Sequence, residues 1–241
     1  MRLEVCVDSP AGLAAAVAGG ADRIELCAAL GLGGLTPAPG LVAQAARCGL
    51  PVVAMIRPRP GDFVWSEGDL AAMEADIAAM RAAGLAGVVL GASLPDGRLD
   101  GAALARLCTA AAGMERVLHR AFDLAPDVAQ AVEVAVRLGF ARILTSGGAV
   151  RAMDGRDRLA LTLRLAAGRI GILPGSGITA ENVAALLAAV PVAEVHASCA
   201  GEVATGAQAV AMGFAPALRR ETDPGRVRAM KAALAAVQSR V

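Results

Sequence analysis

A single (β/α)8 TIM barrel spanning residues 1–241 is the fold this sequence predicts, on three observations. Short β-branched runs alternate eight times with Ala-rich helical stretches, and their starts fall 20 to 35 residues apart, the period of a strand, a crossover helix and two loops. The turn after the first run, Cys6-Val7-Asp8-Ser9-Pro10, holds no glycine, so the fingerprint that opens a dinucleotide-binding sheet is missing. Polar and apolar residues alternate within the runs, whereas strands buried on both faces of an open parallel sheet read as continuous apolar stretches. Closure gives the polar set an interior to occupy.

The elements follow in order. The first strand is expected over Leu3 to Asp8, and Ser9-Pro10 places a capping side chain before a proline at the first helical position. Further strands are expected over Arg23 to Cys27, Val52 to Arg57, Gly87 to Gly91, Arg116 to Phe122, Arg142 to Ser146, Arg169 to Leu173 and Glu194 to Ser198. After Ser66, the spacing of Leu70, Met73, Ile77 and Met80 makes a helical stripe that needs a sheet to cover. Thr179-Ala-Glu-Asn182 reads as a helix start, with Val183, Leu186, Leu187 and Val190 on one face and Pro191 as the stop. Residues 201–222 read as an unusually long loop after the eighth strand, and Asp223-Pro224 opens a terminal helix over about 224–238.

Composition removes several classes of function. Hydrophobic residues make up 56% of the chain and mean hydropathy is +0.57, a value inflated by 58 alanines, so a disordered chain is excluded. Twenty-three basic against 22 acidic residues, no basic run and few aromatics argue against nucleic-acid binding. No apolar run reaches the roughly 18 residues of a membrane helix, and the N-terminus carries no signal-peptide core, so a cytoplasmic protein is expected. Five cysteines, odd in number and without CxxC spacing, do not make a disulfide framework or a structural zinc site. Lys231 is the only lysine and falls in the terminal helix, which leaves no place for Schiff-base chemistry.

The alternation puts Glu4, Cys6 and Asp8 of the first strand inside the barrel, with Leu3, Val5 and Val7 facing helices. Arg23, Glu25 and Cys27 are expected inside on the second strand, Met55 and Arg57 on the third, and His119 and Asp123 on the fifth. Thr145 on the sixth and Glu194, His196 and Ser198 on the eighth complete the set. Unpaired, such charges would each cost several kcal/mol to bury, so they must form hydrogen-bonded pairs. Such a network either fills the lumen structurally or marks a site. In the second case Glu4, Glu25, Arg57, His119 and His196 are candidate catalytic residues. A carboxylate or imidazole would move the proton and arginine would neutralise developing oxyanion charge, as in a lyase or isomerase.

Two glycine-rich turns strengthen that reading. Ser146, Gly147 and Gly148 follow the sixth strand, and Gly175, Ser176 and Gly177 the seventh, positions where backbone N–H groups of a barrel cradle a phosphate or carboxylate. Arg59 at the rim joins them as an anion-binding candidate. Plain turn chemistry explains the same glycines. A zinc or copper(II) site of His119 and His196 with Glu4 or Glu25 is a further alternative, without HxH or HExxH spacing to support it.

Leu3-Glu-Val-Cys-Val-Asp-Ser9, Gly20-Ala-Asp-Arg-Ile-Glu-Leu-Cys27, Gly33-Gly-Leu-Thr-Pro37, Met55-Ile-Arg-Pro-Arg59, Gly61-Asp-Phe63, His119-Arg-Ala-Phe-Asp123, Leu144-Thr-Ser-Gly-Gly148 and His196-Ala-Ser198 resemble, in this order, the copper homeostasis protein CutC family. The resemblance runs from residue 3 to about 200 and implies a TIM barrel, cytoplasmic residence, copper homeostasis and commonly a homodimer. It also implies that Cys6 and Cys27, matching the family's two proposed copper(I) ligands, bind copper(I). Soft thiolates suit that ion, and two inward cysteines on adjacent strands can share it. Their separation of 21 residues equals that of Glu4 and Glu25, so the two strands repeat one pattern. The other reading makes both cysteines small core fillers, as Cys48, Cys108 and an outward Cys199 are expected to be. Pro60, Ala38 and Cys199 depart from the family pattern, and Pro60 removes one backbone donor from the loop that carries Arg59.

Overall fold

A computed structural model describes residues 1–239. The barrel strands are β1 (Arg2–Val7), β2 (Arg23–Leu26), β3 (Val52–Met55), β4 (Gly87–Leu90), β5 (Glu115–Leu118), β6 (Arg142–Thr145), β7 (Gly171–Pro174) and β8 (Glu194–Ala197). They form one parallel sheet in the order β7-β6-β5-β4-β3-β2-β1-β8, and β7 comes round beside β8 to leave a nearly closed barrel. Helices α1 (Pro10–Gly19), α2 (Pro39–Ala45), α3 (Glu67–Ala82), α4 (Gly101–Ala110), α5 (Val128–Arg137), α6 (Arg156–Ala166) and α7 (Val183–Ala189) are the crossovers. Each strand that the alternation predicts is present, with ends moved by one or two residues in most cases.

Local chemistry sets the helix boundaries. Ser9 accepts from Gly12 N ahead of α1, and Ser66 and Asp69 form a reciprocal capping box that starts α3. Leu70, Met73, Ile77 and Met80 of α3 are buried as the stripe requires. They join the larger apolar layer, which lies between the helices and the outward strand residues Leu3, Val5 and Val7. A second, smaller cluster of Cys27, Val53, Met55, Val89, Val117, Leu144 and Leu173 forms apart from it. The inward and outward sets therefore separate as the period of two demands.

Three expectations are corrected. The fifth strand stops at Leu118, and Arg120–Leu124 is a 3-10 turn whose first N–H groups His119 caps by accepting from Ala121 N, so Asp123 stands on a turn and not on a strand. Residues 201–222 are not a structureless loop. β9 (Ala200–Ala204) and β10 (Leu218–Thr222) pair antiparallel around the short helix α8 (Ala207–Ala211), before α9 (Pro224–Gln238) closes the chain. That ribbon leaves Met212, Phe214 and Leu218 exposed. Finally, α7 begins at Val183 and not at Thr179, because Asn182 Oδ1 accepts from Thr179 N and folds the intervening residues into a turn.

Candidate functional site

Strand register builds the site. Within the β1–β2 ladder Glu4 stands level with Arg23 and Cys6 with Glu25, while on the other side Glu4 is level with His196 of β8. Parallel strands of a closed barrel are staggered. The 21-residue repeat therefore does not put Cys6 level with Cys27: the ladder is offset by 19, and Cys27 rises one layer above. Cys6 faces a carboxylate and an imidazole instead.

At the base, Glu4 is 1% exposed and accepts from Arg23 Nε, whose Nη2 donates to Glu194 at 2.7 Å. Arg142 of β6 pairs with Glu115 of β5. This network keeps each charge compensated, the condition under which burial is tolerated. His196 Nδ1 donates to Glu4 Oε1 at 2.8 Å. Burial works against the Glu4 carboxylate, but the hydrogen bond and charge of His196, with Arg23, hold its pKa down at about 2. Burial likewise opposes the His196 imidazolium and is outweighed by the Cys6 and Glu25 charges and the hydrogen bonds to Cys6 and Glu4, which push its pKa well above the ordinary value.

One layer higher, Cys6 Sγ, a Glu25 carboxylate oxygen and a His196 ring nitrogen all lie within 4.8 Å of one another. Glu25 Oε2 is 3.7 Å from His196 Nε2 and accepts from Cys27 Sγ at 3.6 Å, while Glu25 Oε1 is buried with no hydrogen-bond partner. Burial raises the Glu25 pKa, with the His196 charge opposing, and burial beside Glu25 and Cys6 raises that of Cys27 well above its ordinary value. The Gly33-Gly34 turn lies directly over Cys27: a Cβ on Gly34 would come 3.2 Å from the thiol and 3.5 Å from the Met55 methyl.

The mouth is built differently. Arg57, just beyond β3, is buried, and its Nη atoms donate to the carbonyls of Leu32, Gly34 and Gly61. Phe63 lies 5.0 Å under that guanidinium and 4.7 Å from the His119 ring. His119 Nδ1 accepts from Ala121 N at 3.1 Å, which assigns its proton to Nε2, and burial together with the Arg57 charge lowers its pKa to about 3. The catalytic candidates thus split: Glu4, Glu25 and His196 converge, while Arg57 and His119 form a separate group at the rim. His119 is not part of the Cys6, Glu25 and His196 group, so the alternative metal set of both histidines is not assembled.

The first of the two glycine turns is not the open anion cradle expected. Asp123 fills the first, accepting from Thr145 Oγ1 at 2.5 Å, Ser146 N at 3.1 Å, Ser146 Oγ at 2.9 Å and Gly148 N at 2.9 Å. Gly147 N donates to Thr145 Oγ1. In the second, Gly175 N donates to Thr145 O, Ser176 Oγ to Val150 O, and Gly177 packs on Arg151. Arg59 lies on the outer face of the loop, paired with Asp62 and Asp69 and stacked 4.9 Å over Trp65. Residue spacing alone did not single out Phe63, whose only signal is its place in Gly61-Asp-Phe63, or the Arg142–Glu115 pair at the barrel base. Cys199 joins the outer apolar layer as its outward position requires. It adopts φ +46° and lines a cavity of about 70 Å³ with Glu181, Arg220 and Arg226.

Comparison with known proteins follows this geometry. The CutC family model matches residues 1–201. The chain belongs to the CutC family. A CutC family protein of Rhizobium meliloti (strain 1021) is 60% identical over 235 residues, covering 97% of this chain and 96% of the relative, and one of Chromobacterium violaceum is 42% identical over 240 residues, covering 96% and 97%. The crystal structure of a Streptococcus agalactiae CutC, named for copper homeostasis, superposes with a TM-score of 0.79 at 31% identity over 82% of this chain and 98% of that one. Phosphoribosyl anthranilate isomerase of Thermotoga maritima, at 13% identity and TM-score 0.59 over 98% and 99% of the two chains, shares the barrel alone.

Proposed function

We propose that this CutC protein binds copper(I) as cargo inside the barrel, with Cys6 and His196 as the leading donors and Glu25 and Cys27 beside them. The observation that carries the reading is the convergence of Cys6, Glu25 and His196 within 4.8 Å in a buried lumen. Thiolate with imidazole suits copper(I), and a cation entering here takes the place of protons now held by the cluster. The unpartnered Glu25 Oε1 is a further acceptor within the same layer. The Cys6 and Cys27 pair expected from the resemblance is thereby widened, with Cys27 as a neighbouring thiol whose proton must leave before it joins.

The test is competition against a chromophoric copper(I) chelator under reducing conditions. The proposal expects about one equivalent per chain, an affinity lost by about tenfold or more in Cys6→Ser, a smaller loss in Cys27→Ser and none in Cys48→Ser. Unchanged affinity in a folded Cys6→Ser, Cys27→Ser double variant would refute it. The reading carries a cytoplasmic setting, where thiols stay reduced, and a homodimer supported by the exposed Met212, Phe214 and Leu218. Sedimentation of Phe214→Ser as a monomer tests the latter.

A second reading, a lyase- or isomerase-type enzyme on a small phosphorylated or carboxylated substrate, draws support from the buried Glu25 carboxyl 3.7 Å from His196 Nε2, two groups able to exchange a proton with a substrate. Asp123 in the first glycine turn weighs against the phosphorylated class.

A further inference from the structure

The barrel mouth contains a buried cation with no counter-charge. Arg57 is 5% exposed, and its hydrogen bonds run from its Nη atoms to three backbone carbonyls; among the described residues it makes no ion pair. Its Nε is buried without a partner. A guanidinium in this condition is costly to bury, because carbonyl dipoles offset only part of the lost hydration. Beside it His119, 3% exposed, carries its proton on Nε2, which is also buried without a partner. Both side chains rest on the Phe63 ring. The rim thus presents two unsatisfied donor atoms, a net positive charge and an aromatic face, and acidic groups of the strand ends and loops are engaged elsewhere: Asp62 with Arg59, Asp8 with Leu30 N, and Asp123 with Arg120 and the first glycine turn.

We infer that this mouth binds the carboxylate of a small organic molecule, its oxygens accepting from Arg57 Nε and His119 Nε2 while Phe63 covers its apolar part. The shape of the donor edge selects the ligand. Arg57 keeps its Nε–H and one Nη2–H without an acceptor, the planar edge that takes the two oxygens of a carboxylate side-on, with His119 Nε2–H beside it, whereas a tetrahedral phosphate presents further oxygens and needs a wider set of donors. The backbone cradle after β6 that could supply such donors is filled by Asp123. The inference rests on neither the copper nor the catalytic reading, since binding here uses no thiol and requires no reaction.

The protein contains two histidines, so long-range 1H–15N spectra read each imidazole separately. The full-length labelled chain is titrated with sodium acetate, with inorganic phosphate and chloride at matched ionic strength as comparisons. The His119 Nε2 signal is expected to move saturably with acetate alone while His196 stays fixed. Arg57→Lys, which keeps the charge but loses the planar Nε–H, should weaken acetate by about tenfold or more. Cys6→Ser should leave the titration unchanged, which separates this result from the fate of the copper proposal. A His119 signal that acetate does not move overturns the inference, and one that phosphate moves equally overturns the carboxylate assignment. Both outcomes are read on the wild-type chain and do not depend on a variant folding.

Discussion

Replacing Asp123 with alanine should empty an anion cradle that the protein fills with its own side chain. Burial opposes the ionised form of this carboxylate, but hydrogen bonds from Thr145, Arg120, Gly148 and Ser146 outweigh it and keep the pKa below the ordinary value. In Asp123→Ala the hydroxyl groups of Thr145 and Ser146 can turn to other partners, since Ser146 Oγ also reaches Ala149 O. Gly148 N is exposed and water replaces its acceptor, but the N–H of the fully buried Ser146 is left with nothing. One orphaned buried donor costs about 1–3 kcal/mol and the lost charge-assisted bonds about 1.5 kcal/mol more, so the variant should lose about 2.5–4.5 kcal/mol. Urea unfolding measures it. Added phosphate should recover about 2.7 kcal/mol in the variant at a hundredfold excess over its dissociation constant, and nothing in the wild type. A loss below about 1 kcal/mol, or a variant indifferent to phosphate, would show that the carboxylate is not what closes the turn.

Three further outcomes follow from the same geometry. His119 has its pKa lowered to about 3 from 6.5, so between these values the unfolded chain binds the extra proton; stability contributed by the neutral imidazole is complete above pH 6.5 and drains away toward pH 3, by up to about 1.4 kcal/mol per unit. The difference in unfolding free energy between wild type and His119→Gln, followed over that window, should shrink as pH falls; a constant difference contradicts the neutral assignment. Gly34→Ala, at φ +85° and with a new Cβ 3.2 Å from Cys27 Sγ, should cost about 1–2 kcal/mol and lower copper(I) affinity, both read on the purified variant against wild type. Ile77→Ala, fully buried on α3 in the outer layer, should cost about 2–5 kcal/mol in denaturant melts while leaving copper affinity intact.

Much of this architecture was legible in the sequence because burial imposes periodicity. Leu3, Val5 and Val7 against Glu4 and Cys6 announce a strand with two different faces, and Ser66 with the Leu70 to Met80 stripe announces α3. The ribbon of β9 and β10 escaped notice because its strands pair only with each other and their outer ends are exposed, so no buried face wrote a pattern into residues 201–222. The end of β5 was misread for another reason: His119-Arg-Ala-Phe-Asp123 alternates like a strand, yet the imidazole caps a 3-10 turn. At the site, the residue types were visible and their partners were not. The equal spacing of Glu4 to Glu25 and Cys6 to Cys27 suggested matched levels, but barrel stagger slid one strand by two residues and brought Cys6 to Glu25. Likewise the glycines after β6 signalled a turn able to hold an anion, and nothing local showed that Asp123, 22 or more residues earlier, is the anion.

X-ray absorption at the copper edge on the copper(I)-loaded chain tests the central claim most directly, because it identifies the donor atoms without reference to affinity. Convergence of Cys6 with His196 predicts mixed sulfur and imidazole scattering, with the imidazole component disappearing in His196→Gln and the sulfur component diminished in Cys6→Ser. A spectrum of sulfur alone that neither substitution alters would place the metal outside the lumen and contradict the account.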